Sequence, residues 1–133
     1  MGLEQINFQI FGFDTVKKII NNWKPRGCKS EKDYEKSLEK LLNEKFKEVR
    51  IFSQKQIGLY NVDLCVGERY IIELKYNFEN TNDHMRLMGQ LVNYKLHWEE
   101  SNIFVVICGK TKPLLKKELK LHNKSEDYNL IFK

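Results

Sequence analysis

Apolar residues recur along the chain in two rhythms, one helical and one of strand type. Val16, Ile19, Ile20 and Trp23 stand at helical spacing between Asp14 and Trp23, and Lys24-Pro25-Arg26-Gly27 ends that segment. The residues before it, Ile6 to Phe13, fit neither period. A second helix is predicted from Ser30 to about Phe46, with Tyr34, Leu38, Leu41, Leu42 and Phe46 on one face. Its start is marked by the Ser30 hydroxyl, which can cap free backbone amides, and by Asp33 in the first turn. At about 100° per residue, Glu35 falls on the margin of the apolar stripe rather than opposite it.

From Glu48 to Tyr76 the rhythm becomes that of strands, with β-branched and aromatic residues in Val49 to Phe52, Tyr60 to Val66 and Tyr70 to Tyr76. A helix is predicted over about Asn82 to Glu99. The run Ile103 to Cys108, all apolar, has the length of a central strand covered on both faces. Pro113 opens a basic helix to about His122, and Tyr128 to Phe132 reads as a last strand. The expected fold is therefore α/β, a mixed central sheet flanked by helices in the order α-β-β-β-α-β-α-β. With 133 residues, no repeat and no low-complexity segment, one domain is expected: an N-terminal extension (1–29), a core (30–109), and a basic helix with the last strand (110–133).

Charge sharpens this picture modestly. A net charge of +5 with 31% charged residues favours an anionic partner, and Lys110, Lys112, Lys116, Lys117, Lys120 and Lys124 can track a phosphate backbone or simply solvate a helix. No apolar run reaches the roughly 18 residues of a membrane span, and the first residues lack the features of a signal peptide, so a cytoplasmic protein without a membrane partner is expected. Cys28, Cys65 and Cys108 are widely spaced and form no CxxC pair. With His84, His97 and His122 they are read as structural or surface residues.

The chemistry lies in the predicted hairpin. Alternation places Val62, Leu64 and Val66 on one face and Asn61, Asp63 and Cys65 on the other, while Ile71, Glu73 and Lys75 share a face of the next strand. A three-residue loop, Gly67-Glu68-Arg69, pairs Val66 with Tyr70, Leu64 with Ile72, Asp63 with Glu73 and Val62 with Leu74, whereas a two-residue loop puts the apolar faces out of phase. Two facing carboxylates repel unless a positive charge stands between them. A hard divalent cation such as magnesium meets that need with few protein oxygens plus water. Lys75 adds a positive group suited to stabilising a phosphate transition state or orienting the attacking water. A solvated cross-strand salt bridge is the plainer reading, but ionisable residues interrupting the apolar IIELK strand are costly to bury without a function.

The stretch Gly58 to Tyr76, GLYNVDLCVGERYIIELKY, resembles the core signature of the PD-(D/E)XK nuclease superfamily, in which a strand bearing Asp leads by a hairpin into one bearing Glu-x-Lys. The resemblance extends over Glu31 to Cys108 and to the restriction-endonuclease-like order α-β-β-β-α-β. Val62 stands where the nominal proline is found. The resemblance implies a helix acid, for which Glu35 is preferred and Glu31 and Glu39 are alternatives. On the later helix, Gln90 and Tyr94 share a face with Leu87 and Leu91, while Met85, Met88, Val92 and Leu96 take other sectors, which suggests a helix buried on several sides. Gln90 to Tyr94 resembles the Q-x-x-x-Y element of one branch of the superfamily, and Arg86 lies one turn before it.

That resemblance implies a nuclease hydrolysing phosphodiesters with magnesium, or manganese in its place. Asp63, Glu73, Lys75, Gln90 and Glu35 are the implied catalytic residues. Glu35, Asp63, Glu73 and the Leu74 carbonyl would ligate metal, and Gln90, Tyr94 and Arg86 would contact nucleic acid. DNA is the implied substrate and a homodimer or larger complex the implied assembly. The alternatives are a nucleic-acid-binding or assembly module of the same fold without turnover, and a nuclease acting on RNA.

Overall fold

A computed structural model describes residues 12–98, 102–126 and 128–133. The ambiguous segment from Ile6, apart from its last two residues, and the expected helix end at Glu99 lie outside them. The elements, in order, are α1 (Phe13–Asn22), α2 (Glu31–Lys45), β1 (Ile51–Ile57), β2 (Tyr60–Val66), β3 (Tyr70–Phe78), α3 (Thr81–His97), β4 (Ile103–Thr111), α4 (Pro113–Glu126) and β5 (Asn129–Phe132). The strands form one five-stranded sheet in sequential order, β1-β2-β3-β4-β5. The first three run antiparallel, and β3-β4 and β4-β5 pair in parallel, so the sheet is mixed. This is the expected α/β class. No helix among the described residues is long and apolar enough to cross a membrane.

Each face of the sheet has its own core. Helices α1 and α2 cover one face, where Val16, Ile20, Leu38 and Leu42 pack on Leu64, Val66, Ile72, Leu74, Phe104 and Val106. Helices α3 and α4 cover the other, where Leu87, Leu91, Tyr94 and Leu119 pack on Cys65, Ile71, Ile103, Val105 and Ile107. Strand β4 lies between β3 and β5, and all six residues from Ile103 to Cys108 are buried, as a centrally placed apolar run requires. Burial of aliphatic side chains at about 1.5–3 kcal/mol each makes these two layers the main source of stability. Cys65 and Cys108 are buried free thiols within them.

Local signals act as read. The Ser30 hydroxyl accepts from the Asp33 amide at 3.1 Å, and Asp33 in turn accepts from the Lys29 amide, satisfying two donors at the start of α2. Asn80 caps α3 in the same way. Lys133 ends the chain by donating its ammonium to the Asn21 and Trp23 carbonyls, which ties β5 to the end of α1.

Four expectations need correction. First, β1 runs to Ile57 rather than ending at Phe52, because Ser53, Lys55, Gln56 and Ile57 pair with β2 on either side of the left-handed Gln54. Second, α3 is buried on one side only: Met85, Val92 and Leu96 are exposed, since the helix is an outer layer with nothing outside it among the described residues. Third, the β2–β3 ladder holds Val66 with Tyr70 and Leu64 with Ile72 but stops there, so the expected Asp63–Glu73 and Val62–Leu74 pairs do not form. Fourth, Val62 does not share a layer with Leu64 and Val66. It packs with Cys65 and Leu87 on the α3 side, where strict alternation breaks down beside Gln54, the β1 neighbour of Asp63, whose φ is 55°. The loop also departs from the usual preference, in that Gly67 takes the left-handed φ of 61° at the first loop position rather than the last.

Candidate active site

The end of the ladder creates the site. Beyond Leu64–Ile72, strands β2 and β3 separate, and the Leu74 amide, which a continued ladder would pair with backbone, donates to Asp63 Oδ2 at 2.7 Å. In an extended strand the N–H and C=O of one residue leave on the same edge, so the Leu74 carbonyl points toward the same gap. Asp63 and Glu73, 6% and 2% exposed, flank that gap at the base of a cleft of about 440 Å³. Gln54, Asn61, Lys75, Arg86 and Gln90 also line it.

The charges are strongly coupled. Burial, followed by repulsion from Asp63, pushes the Glu73 carboxyl up to about 8 even though Lys75 and Tyr94 favour its ionised form. Lys75 Nζ lies 3.3 Å from Glu73 Oε2, and the Tyr94 hydroxyl donates to Glu73 Oε1 at 2.9 Å. Asp63 is raised as well, chiefly by burial, with the Leu74 amide and Lys75 working against the shift. Tyr94 is held far above its ordinary value by burial and by Glu73, so its hydroxyl stays a donor. Beside a single lysine, ionising both buried acids together is therefore costly.

The residues singled out from sequence separate into two groups. Asp63, Glu73, Lys75, Gln90 and Arg86 share the cleft, and Tyr94 holds Glu73 from beneath α3. Glu35 is buried, as its helical position required, but it stands behind the cleft wall. Its carboxylate accepts from Gln54 Nε2 at 2.7 Å, Lys32 Nζ at 3.1 Å and Ser53 Oγ at 3.3 Å. The helix acid that lines the cleft is Glu31, an exposed residue whose carboxyl is raised by partial burial first and by Asp63 next. Glu39 does not line it.

Gln54 was not apparent from the sequence. Its amide bridges Glu35 and Asp63, at 2.7 and 3.2 Å, and so joins the buried helix acid to the strand acid. A left-handed residue on a polar edge strand carries no periodic signal that could have marked it. Asn61 and Asp83, on the cleft wall, were likewise unmarked.

Oxygen chemistry dominates the cleft. Among the described residues no group of three or more His, Cys, Asp or Glu side chains forms a ready-made metal cage. Two carboxylates with a backbone carbonyl beside them nevertheless suit magnesium, which keeps several waters and takes only one or two carboxylates. Gln90 Oε1 is buried in the same cleft without a hydrogen-bond partner among the described residues, an acceptor that such a hydrated cation would satisfy. Comparison of the chain with protein-family models, with curated proteins and with solved structures finds no match.

Proposed function

We propose that this chain is a metal-dependent nuclease of the PD-(D/E)XK class that hydrolyses phosphodiester bonds in DNA. The observation that carries the reading is the fork between β2 and β3, where Asp63, Glu73 and Lys75 converge in one cleft and burial makes it costly to ionise both acids together. The succession α2-β1-β2-β3-α3-β4 around a mixed sheet supports the restriction-endonuclease-like assignment.

In this reading Asp63, Glu73 and the Leu74 carbonyl would hold Mg²⁺ or Mn²⁺, and the ion would supply Lewis-acid chemistry for phosphodiester hydrolysis. Lys75, its side chain only 12% exposed, keeps a cation beside Glu73 and meets the charge that develops on the phosphate. Tyr94 fixes the rotamer of Glu73 through its hydroxyl. Gln54 fixes Asp63 and transmits the position of Glu35 to it. Arg86, Gln90 and Glu31 line the approach of the nucleic acid, Arg86 as a phosphate contact.

The test is cleavage of labelled single-stranded, duplex and branched DNA with magnesium, comparing wild type with Asp63→Ala and Glu73→Ala. Activity in wild type and its loss in both variants is the expected result. Binding of DNA without cleavage under magnesium or manganese would favour a non-catalytic module, and cleavage of RNA alone would reassign the substrate.

A further inference from the structure

The rim of the cleft carries a residue that its polar chemistry does not explain. Leu59 is 87% exposed, the most exposed large hydrophobic among the described residues, and it lines the same cleft as Asp63, Glu73 and Lys75. It occupies the second position of the two-residue Gly58-Leu59 turn that joins β1 to β2, with Ile57 paired to Tyr60 across the turn.

That turn is braced from three directions. Asn93 on α3, only 9% exposed, donates its amide to the Ile57 carbonyl at 2.7 Å and accepts from the Leu59 amide at 3.4 Å. Gln56 donates to the Gly58 carbonyl at 3.3 Å. Gly58 itself has a φ of 61°, and a Cβ there would stand 2.4 Å from Asn93 Oδ1, so the close seat of Asn93 requires glycine. Hairpin tips are ordinarily polar and mobile. Here a buried asparagine, a glycine of fixed geometry and an edge glutamine hold an apolar side chain out in solvent.

We infer that Leu59 is an apolar wedge which meets the faces of nucleobases when a strand backbone occupies the cleft, unstacking the duplex next to the phosphate to be cut. The inference rests on the proposed nucleic-acid substrate. Exposed Arg86 and half-buried Lys75 offer cations to a strand backbone in the cleft, and Leu59, which projects into solvent from the same lining, is left to meet the bases. Apolar wedges of this size separate base steps at a cost of a few kcal/mol, which a rigid mount supports and a mobile loop does not. Leu59 is thus a specificity-determining residue for base-paired substrate.

The experiment compares wild type, Leu59→Ala and Leu59→Met on matched single-stranded and duplex DNA. Cleavage is followed with magnesium, and unstacking by the emission of 2-aminopurine placed in the duplex, with calcium replacing magnesium. Leu59→Ala is expected to reduce duplex cleavage and the emission rise about tenfold while single-stranded cleavage stays within about twofold, and Leu59→Met restores both. Equal duplex behaviour in wild type and Leu59→Ala overturns the wedge and leaves the nuclease reading intact. An equal loss on both substrates, or a change only in oligomeric state on size-exclusion chromatography, also overturns it. If wild type raises the emission through Leu59 yet cleaves nothing, the wedge stands and the nuclease reading falls. Absence of both signals overturns the wedge.

Discussion

Strands β2 and β3 form a hairpin that behaves differently at its two ends. Near the loop, Val66–Tyr70 and Leu64–Ile72 pair by backbone, and their side chains are apolar and buried. Immediately beyond Leu64–Ile72 the same strands part, and a backbone amide is satisfied by a side chain instead, as the Asp63–Leu74 bond shows. The closed end holds the fold together through burial. The open end accepts an electrostatic penalty, the cost of ionising two buried acids together, which is tolerable because the closed end and β4 fix β3 on either side. A sheet can therefore seat reactive groups where its ladder stops without disturbing the layers that stabilise it.

The largest expected effects break this comparison at each end. Asp63→Ala or Glu73→Ala should lower DNA cleavage about a hundredfold or more, measured as kcat/KM with magnesium. Leu64→Ala should instead lower stability by about 2–5 kcal/mol in urea titration, with little change in kcat/KM where it remains folded. A catalytic defect in Leu64→Ala as deep as that in Asp63→Ala would mean that the two ends are not separable.

Within the open end the two acids should differ. Asp63→Ala strips a buried amide of its acceptor and should cost about 1–3 kcal/mol. Glu73→Gln removes a buried charge while leaving a group that Tyr94 can still bond, so the metal-free protein should gain roughly 1 kcal/mol at pH 8.5 while activity is lost. Equal destabilisation by both variants would argue that Glu73 is a structural partner rather than a strained one.

The acid's titration gives the next effect. Glu73 moves from an ordinary 4.5 to about 8 in the fold. Below 4.5 it is protonated both folded and unfolded and costs nothing. As pH rises from 4.5 to 8 the unfolded chain ionises first, so the metal-free protein should lose stability across that window and level off above it. Magnesium, which competes with the proton, should raise the melting temperature more at pH 8.5 than at pH 6, as scanning calorimetry can check. In Glu73→Gln this component of the pH dependence should disappear.

The two ends also differ in how far the sequence exposed them. Period-two alternation and the loop count were enough for the closed end and for bringing Asp63, Glu73 and Lys75 near one another, because buried strands have only one register that keeps their apolar faces aligned. The helical angle likewise placed Glu35 at the buried margin of α2. Alternation could not reveal where the ladder ends, nor the change of layer at Val62, since both depend on a backbone departure beside Gln54. The choice between Glu31 and Glu35 was hidden for the same reason, as only the three-dimensional position of Gln54 shows which acid is taken up behind the wall.

Gln54 offers the smallest and most discriminating test. Its amide lies between Glu35 and Asp63, so removing it leaves Asp63 held by the Leu74 amide alone on that side and leaves Glu35 with Lys32 and Ser53. Alanine would confuse the result, because φ of 55° strains a β-carbon independently of any lost bond. Glycine adopts that conformation freely, so Gln54→Gly deletes the bridge while relaxing the backbone. Cleavage should fall about three- to tenfold, the scale of one hydrogen bond of about 1 kcal/mol, with stability nearly unchanged. The magnesium concentration for half-maximal activity should rise as Asp63 loses its fixed orientation. Gln54→Asn, which tolerates the left-handed region but reaches less far, should fall between wild type and Gln54→Gly. Unchanged metal dependence in Gln54→Gly would separate Glu35 from the site and leave Glu31, on the cleft wall, as the acid contributed by α2.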